Sequence, residues 1–221
     1  MRYLYIEGQK EDVPLQIDTL QDLQILLGIT SNQWIKNDSS NLTCLEILKL
    51  EERCEASDES NIPPFAINSC LHLSKLDIKG HMQKLPETVE FSPNLTQLTL
   101  EASRLGCDPM PILEKLPKLL TLRLRAKSYL GKKMHVSANG FPQLKVLQLL
   151  ELQGLTKLNI GQGAMPWLMQ LQIHVYLILG IVQVEVAMAP SDSGFDPRQR
   201  RHLIRAQLVS QLIRVQLVLL D

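Results

Sequence analysis

Residues 117–125 read Pro117-Lys118-Leu119-Leu120-Thr121-Leu122-Arg123-Leu124-Arg125. Leu122 and Leu124 alternate with Thr121, Arg123 and Arg125, and that period of two marks a strand with one face buried. The frame Leu-x-x-Leu-x-Leu/Ile that opens at Leu119 recurs in both directions. It stands at Leu45/Leu48/Leu50, Leu73/Leu76/Ile78, Leu95/Leu98/Leu100, Leu144/Leu147/Leu149 and Leu168/Leu171/Ile173. Two weaker copies precede these, Met1/Leu4/Ile6 and Leu23/Leu26, the latter ending on Gly28. First positions at 1, 23, 45, 73, 95, 119, 144 and 168 are separated by steps of 22, 22, 28, 22, 24, 25 and 24.

A single hexad means little in a chain with 42 leucines, but eight in register define a repeat. Proline reinforces the frame, standing two residues before the first leucine at Pro93, Pro117, Pro142 and Pro166. Proline fixes φ and has no N–H, so it suits a bend leading into a strand and not the strand interior. Each strand returns only after an excursion too long for a hairpin, so neighbouring strands must be parallel. Stacked copies bury their leucines against one another. The predicted fold is α/β, a leucine-rich-repeat solenoid with a curved parallel β-sheet on its concave face and short irregular or helical convex segments. Eight strands about 4.8 Å apart give a sheet on the order of 35 Å long. Asp108 to Leu116 is expected to make a brief helical turn with proline near its start, and Leu85-Pro86-Glu87 a similar convex segment.

Composition narrows the function. The chain has 221 residues, 45% of them hydrophobic and only 5% aromatic, as a core built from one repeated local environment would have. Its 23 basic and 23 acidic residues balance, which argues against a general nucleic-acid binder. The cysteines, Cys44, Cys54, Cys70 and Cys107, form no CxxC pair and are expected to be free buried thiols in a reducing compartment. The N-terminus lacks the apolar region of a secretory signal, and the sequons at Asn37, Asn41 and Asn94 read as chance. Leu168 to Ala189 is the most apolar stretch, but Gln170, Gln172, His174, Gln183 and Glu185 interrupt it, so no transmembrane segment is expected. The expected location is cytoplasmic.

The repeat array is predicted to occupy residues 1–175 and a non-repeat tail residues 176–221. Because Met1 already lies on a hexad, the chain reads as a piece of a longer array or a product with its beginning cut away. Alternation around Val182, Val184 and Val186 suggests one or two extra strands. A linker follows, and then a helix at about 197–220, with Asp196 as N-cap and Pro197 at its first position. Three readings of that tail stay open. It covers the end of the solenoid, or it docks as a basic amphipathic helix on a membrane or partner, or it is an aberrant exon.

No catalytic, metal or cofactor constellation is evident. GxxxxGK[ST], HExxH and GxSxG are all absent, and Gly161-Gln162-Gly163 does not extend to GxGxxG. His72, His81, His135, His174 and His202 show no ligand spacing. The acidic run of Glu51, Glu52, Glu55, Asp58 and Glu59 reads as a solvated loop. The chain is expected not to be an enzyme.

With the first, fourth and sixth hexad positions buried, the third and fifth, joined by the next outward position, face the concave surface. The candidate partner-binding residues are therefore Lys75, Asp77 and Lys79; Gln97, Thr99 and Glu101; Thr121, Arg123 and Arg125; Gln148; and Gln170, Gln172 and His174. Lys49 and Glu51 belong to the same surface. Arg123 and Arg125, with Lys75 and Lys79 two strands away, form an expected basic patch suited to carboxylates on a partner. The bland alternative, that the same side chains are ordinary solvated charges on an exposed sheet, stays open.

Asp108-Pro109-Met110-Pro111-Ile112-Leu113-Glu114-Lys115-Leu116-Pro117 resembles the DPMP-x-LEKLP-x-L segment of plant disease-resistance proteins of the coiled-coil, nucleotide-binding, leucine-rich-repeat class. Ser128 to Met134, Gly140-Phe141-Pro142-Gln143-Leu144 and Gly163-Ala164-Met165-Pro166 resemble that family too, in the same order, and the likeness covers roughly residues 1–173. It implies recognition of pathogen effectors or guarded host proteins, and an autoinhibitory contact with the nucleotide-binding module, a partner for this chain if one exists in trans. The chain departs from the class in lacking the coiled coil, the nucleotide-binding domain with its phosphate loop, and a repeat-bearing tail. ATP-dependent switching therefore does not carry over. Two alternatives accompany the recognition reading: the substrate-binding array of a ubiquitin-ligase adaptor, or a non-functional receptor fragment.

Overall fold

The computed structural model describes residues 1–6, 16–17, 19–35, 41–52, 67–174 and 183–186, and within them every hexad leads into a strand. In chain order the elements are β1 (Tyr3–Tyr5), β2 (Ile25–Ile29), α1 (Ser31–Ile35), β3 (Ile47–Glu51), β4 (Lys75–Lys79), β5 (Gln97–Glu101), α2 (Met110–Leu113), β6 (Thr121–Arg125), β7 (Lys133–Val136), β8 (Val146–Leu150), β9 (Lys157–Ile160), β10 (Gln170–His174) and β11 (Gln183–Val186). One sheet has eight strands in the order β1-β2-β3-β4-β5-β6-β8-β10, and a second has three in the order β11-β9-β7. All pairings are parallel.

The leucines form the interior. Leu48, Leu50, Leu76, Leu98, Leu100, Leu122, Leu124, Leu147 and Leu149 are fully buried at the fourth and sixth positions, and Leu45, Leu73, Leu95, Leu119 and Leu144 are buried at the first. Each such side chain contributes about 1.5–3 kcal/mol by leaving water. Pro93, Pro117, Pro142 and Pro166 all lie exposed in turns just ahead of their strands, where a missing N–H costs no ladder bond.

The weak second copy has a structural cause. Gly28 sits at φ +77 in a bulge where the pairing of β2 with β3 slips by one residue. Ile29 therefore pairs with Leu50 and takes the buried place that Gly28 vacates. A Cβ at Gly28 would lie 2.2 Å from the Ile6 carbonyl oxygen.

The return segments between β4 and β6 are short helical pieces, a 3₁₀ turn at Thr88–Glu90 and α2 with Pro109 as N-cap. From β6 onward they carry strands as well. Leu155-x-x-Leu158-x-Ile160 is itself a hexad, and β9 takes the centre of the second sheet with Leu158 fully buried. β11 forms where alternation around Val184 suggested an extra strand. The tail helix expected at about 197–220 lies outside the described residues.

The edge strand of this second sheet is sealed by side chains. Asp108 Oδ2 accepts the His135 N–H at 2.7 Å while Oδ1 accepts that of Met110 at 3.0 Å. Glu114 Oε2 accepts the Ser137 N–H at 2.7 Å. The carboxylates of the Asp108–Pro117 segment thus satisfy donors that an edge strand would leave open. Burial outweighs these bonds at Asp108 and holds its carboxyl above the ordinary range.

The thiols differ from the expectation of burial. Cys70 is buried, its thiol pushed up to about 11 by desolvation, but Cys44 and Cys107 are exposed and free. Each of those two stands just outside a hexad core, Cys44 at the position before Leu45 and Cys107 in the bend after Leu105. Cys54 is outside the described residues. Glu52 also departs from the solvated-loop reading, since its Oε1 accepts the backbone N–H of Ser31 at 2.7 Å at the start of α1.

Candidate partner-binding surface

Strict register brings the candidate residues into rows across the sheet. Lys75, Gln97, Thr121, Val146 and Gln170 are consecutive partners; so are Asp77, Thr99, Arg123, Gln148 and Gln172. The third row runs Lys79, Glu101, Arg125, Leu150 and His174. All thirteen predicted residues lie on this one face, half-buried or exposed. The alternation that buries Leu122 and Leu124 necessarily presents Arg123 and Arg125 on the other side.

Charge on the face is more mixed than a basic patch. Lys75 Nζ lies 3.3 Å from Asp77 Oδ2, and Lys79 Nζ 3.0 Å from Glu101 Oε1. Lys49 pairs with Glu51. The two lysines expected to extend the patch of Arg123 and Arg125 are thus engaged by acids in the same or the next strand. The arginines are placed differently. Arg123 Nε and Arg125 Nη2 both donate to Gln148 Oε1, at 3.0 and 3.2 Å, and Gln148 Nε2 donates onward to Gln172 Oε1 at 3.1 Å. Among the described residues neither arginine has a carboxylate within ion-pair distance.

These side chains line a depression of about 420 Å³ that reaches from Lys49 to Arg125. Five cations and two carboxylates border it, so its local balance is positive although the chain as a whole is neutral. Two buried atoms here lack an acceptor or donor, Arg125 Nε and Asp77 Oδ1. Such atoms are costly to leave unpaired, and the pair marks where the face is least self-sufficient. Chemically the face offers cations, amides and hydroxyls held on a rigid sheet, which is equipment for binding.

Sequence reasoning carried the rows only as far as Lys49 and Glu51 on β3, yet they continue. Tyr3 and Tyr5 on β1 pair in register with Ile25 and Leu27 on β2, and Ile25 with Ile47 on β3. The signal was available in the third and fifth positions of the first hexads. Among the described residues no cluster of His, Cys, Asp or Glu could hold a metal ion. Nor, among them, is any helix long and apolar enough to cross a membrane.

Comparison with known proteins agrees with the repeat. Residues 35–210 match the family described as "Leucine-rich repeat region". Disease resistance protein RPP8 of Arabidopsis thaliana is 30% identical over 200 residues, covering 78% of this chain and 22% of the relative. Disease susceptibility protein LOV1 of the same plant is 32% identical over 159 residues, 72% of this chain and 17% of its own length. Probable disease resistance protein RF45, also from Arabidopsis thaliana, reaches 45% identity over 105 residues, 48% of this chain and 10% of that protein. The chain thus spans between 10% and 22% of the length of these relatives. No solved structure gives a significant match. With a family match over most of its length, eight hexads folded into one parallel sheet and relatives of this kind, the chain belongs to the leucine-rich repeat region family and is related to plant disease resistance proteins.

Proposed function

We infer that this chain is a protein-recognition module acting in plant defence, binding a pathogen effector or a guarded host protein in the cytoplasm across the concave face of its long sheet. A receptor's nucleotide-binding module supplied in trans is a further partner of the same kind. The observation that carries this reading is the pair Arg123 and Arg125, adjacent outward residues of one strand whose guanidiniums share a neutral acceptor and have no carboxylate partner of their own among the described residues. Arginine's planar fork suits bidentate contact with a partner's carboxylates.

The test is Arg123→Glu combined with Arg125→Glu, assayed against effectors and host proteins recovered in a two-hybrid screen. Reversing both charges should weaken binding at least about thirtyfold. The thermal melt should not move, because both side chains lie outside the core. Unchanged affinity places the recognition surface elsewhere.

A further inference from the structure

The concave face is divided along its length. On β1 to β3 it presents Tyr3, Tyr5, Ile25, Leu27 and Ile47, with Lys49 and Glu51 as its charged pair. Tyr3 and Tyr5 are each 63% exposed, so two aromatic rings stand largely in water on an ordered strand. On β4 to β6 the same rows change to ionic side chains. There Lys75 and Lys79 are held by Asp77 and Glu101, and the cations left without a carboxylate are Arg123 and Arg125 at the far side of the block. Apolar surface at one end and unneutralised arginines at the other do not suit a uniform partner.

Distance fixes the relation between the two ends. β1 and β6 are five strand spacings apart in the sheet order, about 24 Å at about 4.8 Å each. An extended chain advances about 3.3 Å per residue, so about seven residues cover that span.

We propose that the face takes an extended protein segment lying across the strands, with an aromatic or large aliphatic pair seated on Tyr3, Tyr5 and Leu27 and a pair of carboxylates on Arg123 and Arg125, about six or seven residues apart. This rests on the recognition reading above and specifies the chemistry of its partner. The apolar end supplies affinity by removing aromatic surface from water. The acidic end supplies register, since a carboxylate placed elsewhere along the rows meets Asp77 or Glu101, which already hold the lysines.

The test uses the full chain and labelled synthetic peptides in fluorescence anisotropy. The reference peptide carries Phe-Ser-Phe and Glu-Ser-Glu joined by a Gly/Ser spacer that sets the two pairs about seven residues apart. The controls shorten the spacer to about two residues, replace Glu-Ser-Glu by Lys-Ser-Lys, or replace Phe-Ser-Phe by Ser-Ser-Ser. The reference should bind at least about tenfold more tightly than each control, a preference of about 1.4 kcal/mol. Arg123→Glu with Arg125→Glu should reverse the preference for Glu over Lys peptides, and Tyr3→Ser with Tyr5→Ser should remove the discrimination between Phe and Ser peptides. Equal affinity for long and short spacers, with the arginines still required, overturns the two-ended partner and leaves the recognition face standing. Binding indifferent to both pairs of substitutions overturns both. No binding of the reference peptide at millimolar concentration overturns the two-ended partner.

Discussion

Up to β5 the described solenoid is one sheet thick, and from β6 onward it is two. Both regions face the same requirement, that the polar backbone of every return segment must find partners. In the described return segments of the first region side chains share the task with single backbone bonds such as Met82 N–H to the Ser103 carbonyl at 2.9 Å. Ser92 Oγ lies 2.9 and 3.0 Å from the carbonyls of Cys70 and Leu73, Asn94 Nδ2 donates to the Leu71 carbonyl at 2.7 Å, and Asn68 Nδ2 to that of Val89 at 3.2 Å. In the second region the backbone ladders of β7, β9 and β11 carry most of it, with Asp108 and Glu114 closing the edge of β7. A ladder does not depend on which side chain is present, so Met134, Val136 and Leu158 are free to fill the interior. The difference teaches that one hexad frame supports two convex designs, one leaning on individual side chains and one mainly on alternation.

The largest effect that would test this contrast is Leu158→Ala. Leu158 is fully buried on the central strand of the three-stranded sheet. Its truncation should cost about 2–5 kcal/mol. Hydrogen exchange should show β7 and β9 losing protection together while β3 and β4 keep theirs. Uniform loss across both regions would show that the second layer is not a separable unit.

Gly28→Ala probes the one-sheet region. The new Cβ would stand 2.2 Å from the Ile6 carbonyl oxygen on a backbone at φ +77. Left-handed backbone alone costs a non-glycine residue about 1–2 kcal/mol, and the contact adds to it. The expected result is faster exchange at β1, whose Ile6 N–H donates to Leu27 at 3.0 Å, with protection of β9 unaltered. A change at β9 would mean that strain travels along the sheet.

How far the sequence foretold this can be argued from the same residues. The long sheet was legible because six strong hexads and four prolines fall at one phase, and burial followed from alternation. Of the second layer only β11 was. Leu155, Leu158 and Ile160 repeat the hexad, but the step from Leu144 to Leu155 breaks the period, so a search fixed on 22–28 residues passes over it. The sealing of β7 was hidden for another reason: Asp108 and His135 are 27 residues apart, and a side chain that bonds a distant backbone N–H leaves no local pattern. On the concave face the positions of the candidates were readable and their pairing was not. Lys79 meets Glu101 only because β4 and β5 align without offset, a register that loop lengths of unequal size do not reveal.

A smaller effect concerns the seal of the second layer. Asp108→Asn keeps one acceptor and turns an N–H₂ toward a donor, losing about 1 kcal/mol. Its pH dependence is the sharper measurement. Burial raises the folded-state pKa of Asp108 above the unfolded value, so the folded state holds the proton more tightly. Stability from this group therefore falls as pH rises from the ordinary carboxylate value through the raised one. The advantage of the native chain over Asp108→Asn in urea melts should shrink across that window. An advantage that grows with pH would mean that the bonds from His135 and Met110 outweigh desolvation.

The smallest expected effect returns to the boundary between the two regions. The residue after each concave strand turns at positive φ in four successive repeats: Gly80 at 137, Ala102 at 55, Ala126 at 47 and Glu151 at 59. Only the first is glycine, so the later repeats carry a backbone penalty that the earlier one avoids. Ala126→Gly removes that penalty and keeps the N–H that donates to the Leu150 carbonyl at 3.1 Å. Glycine also gives the unfolded chain more freedom, which offsets part of the gain. A net stabilisation of up to about 1 kcal/mol should remain, raising Tm by about 2–4 °C in calorimetry. The opposite substitution, Gly80→Ala, should lower Tm in the one-sheet region. If Ala126→Gly lowers it as well, the half-buried methyl group of Ala126 contributes more to the two-layer region than relief of its backbone does, and the tightness of that region lies in side-chain contacts at the strand exit as well as in the second ladder.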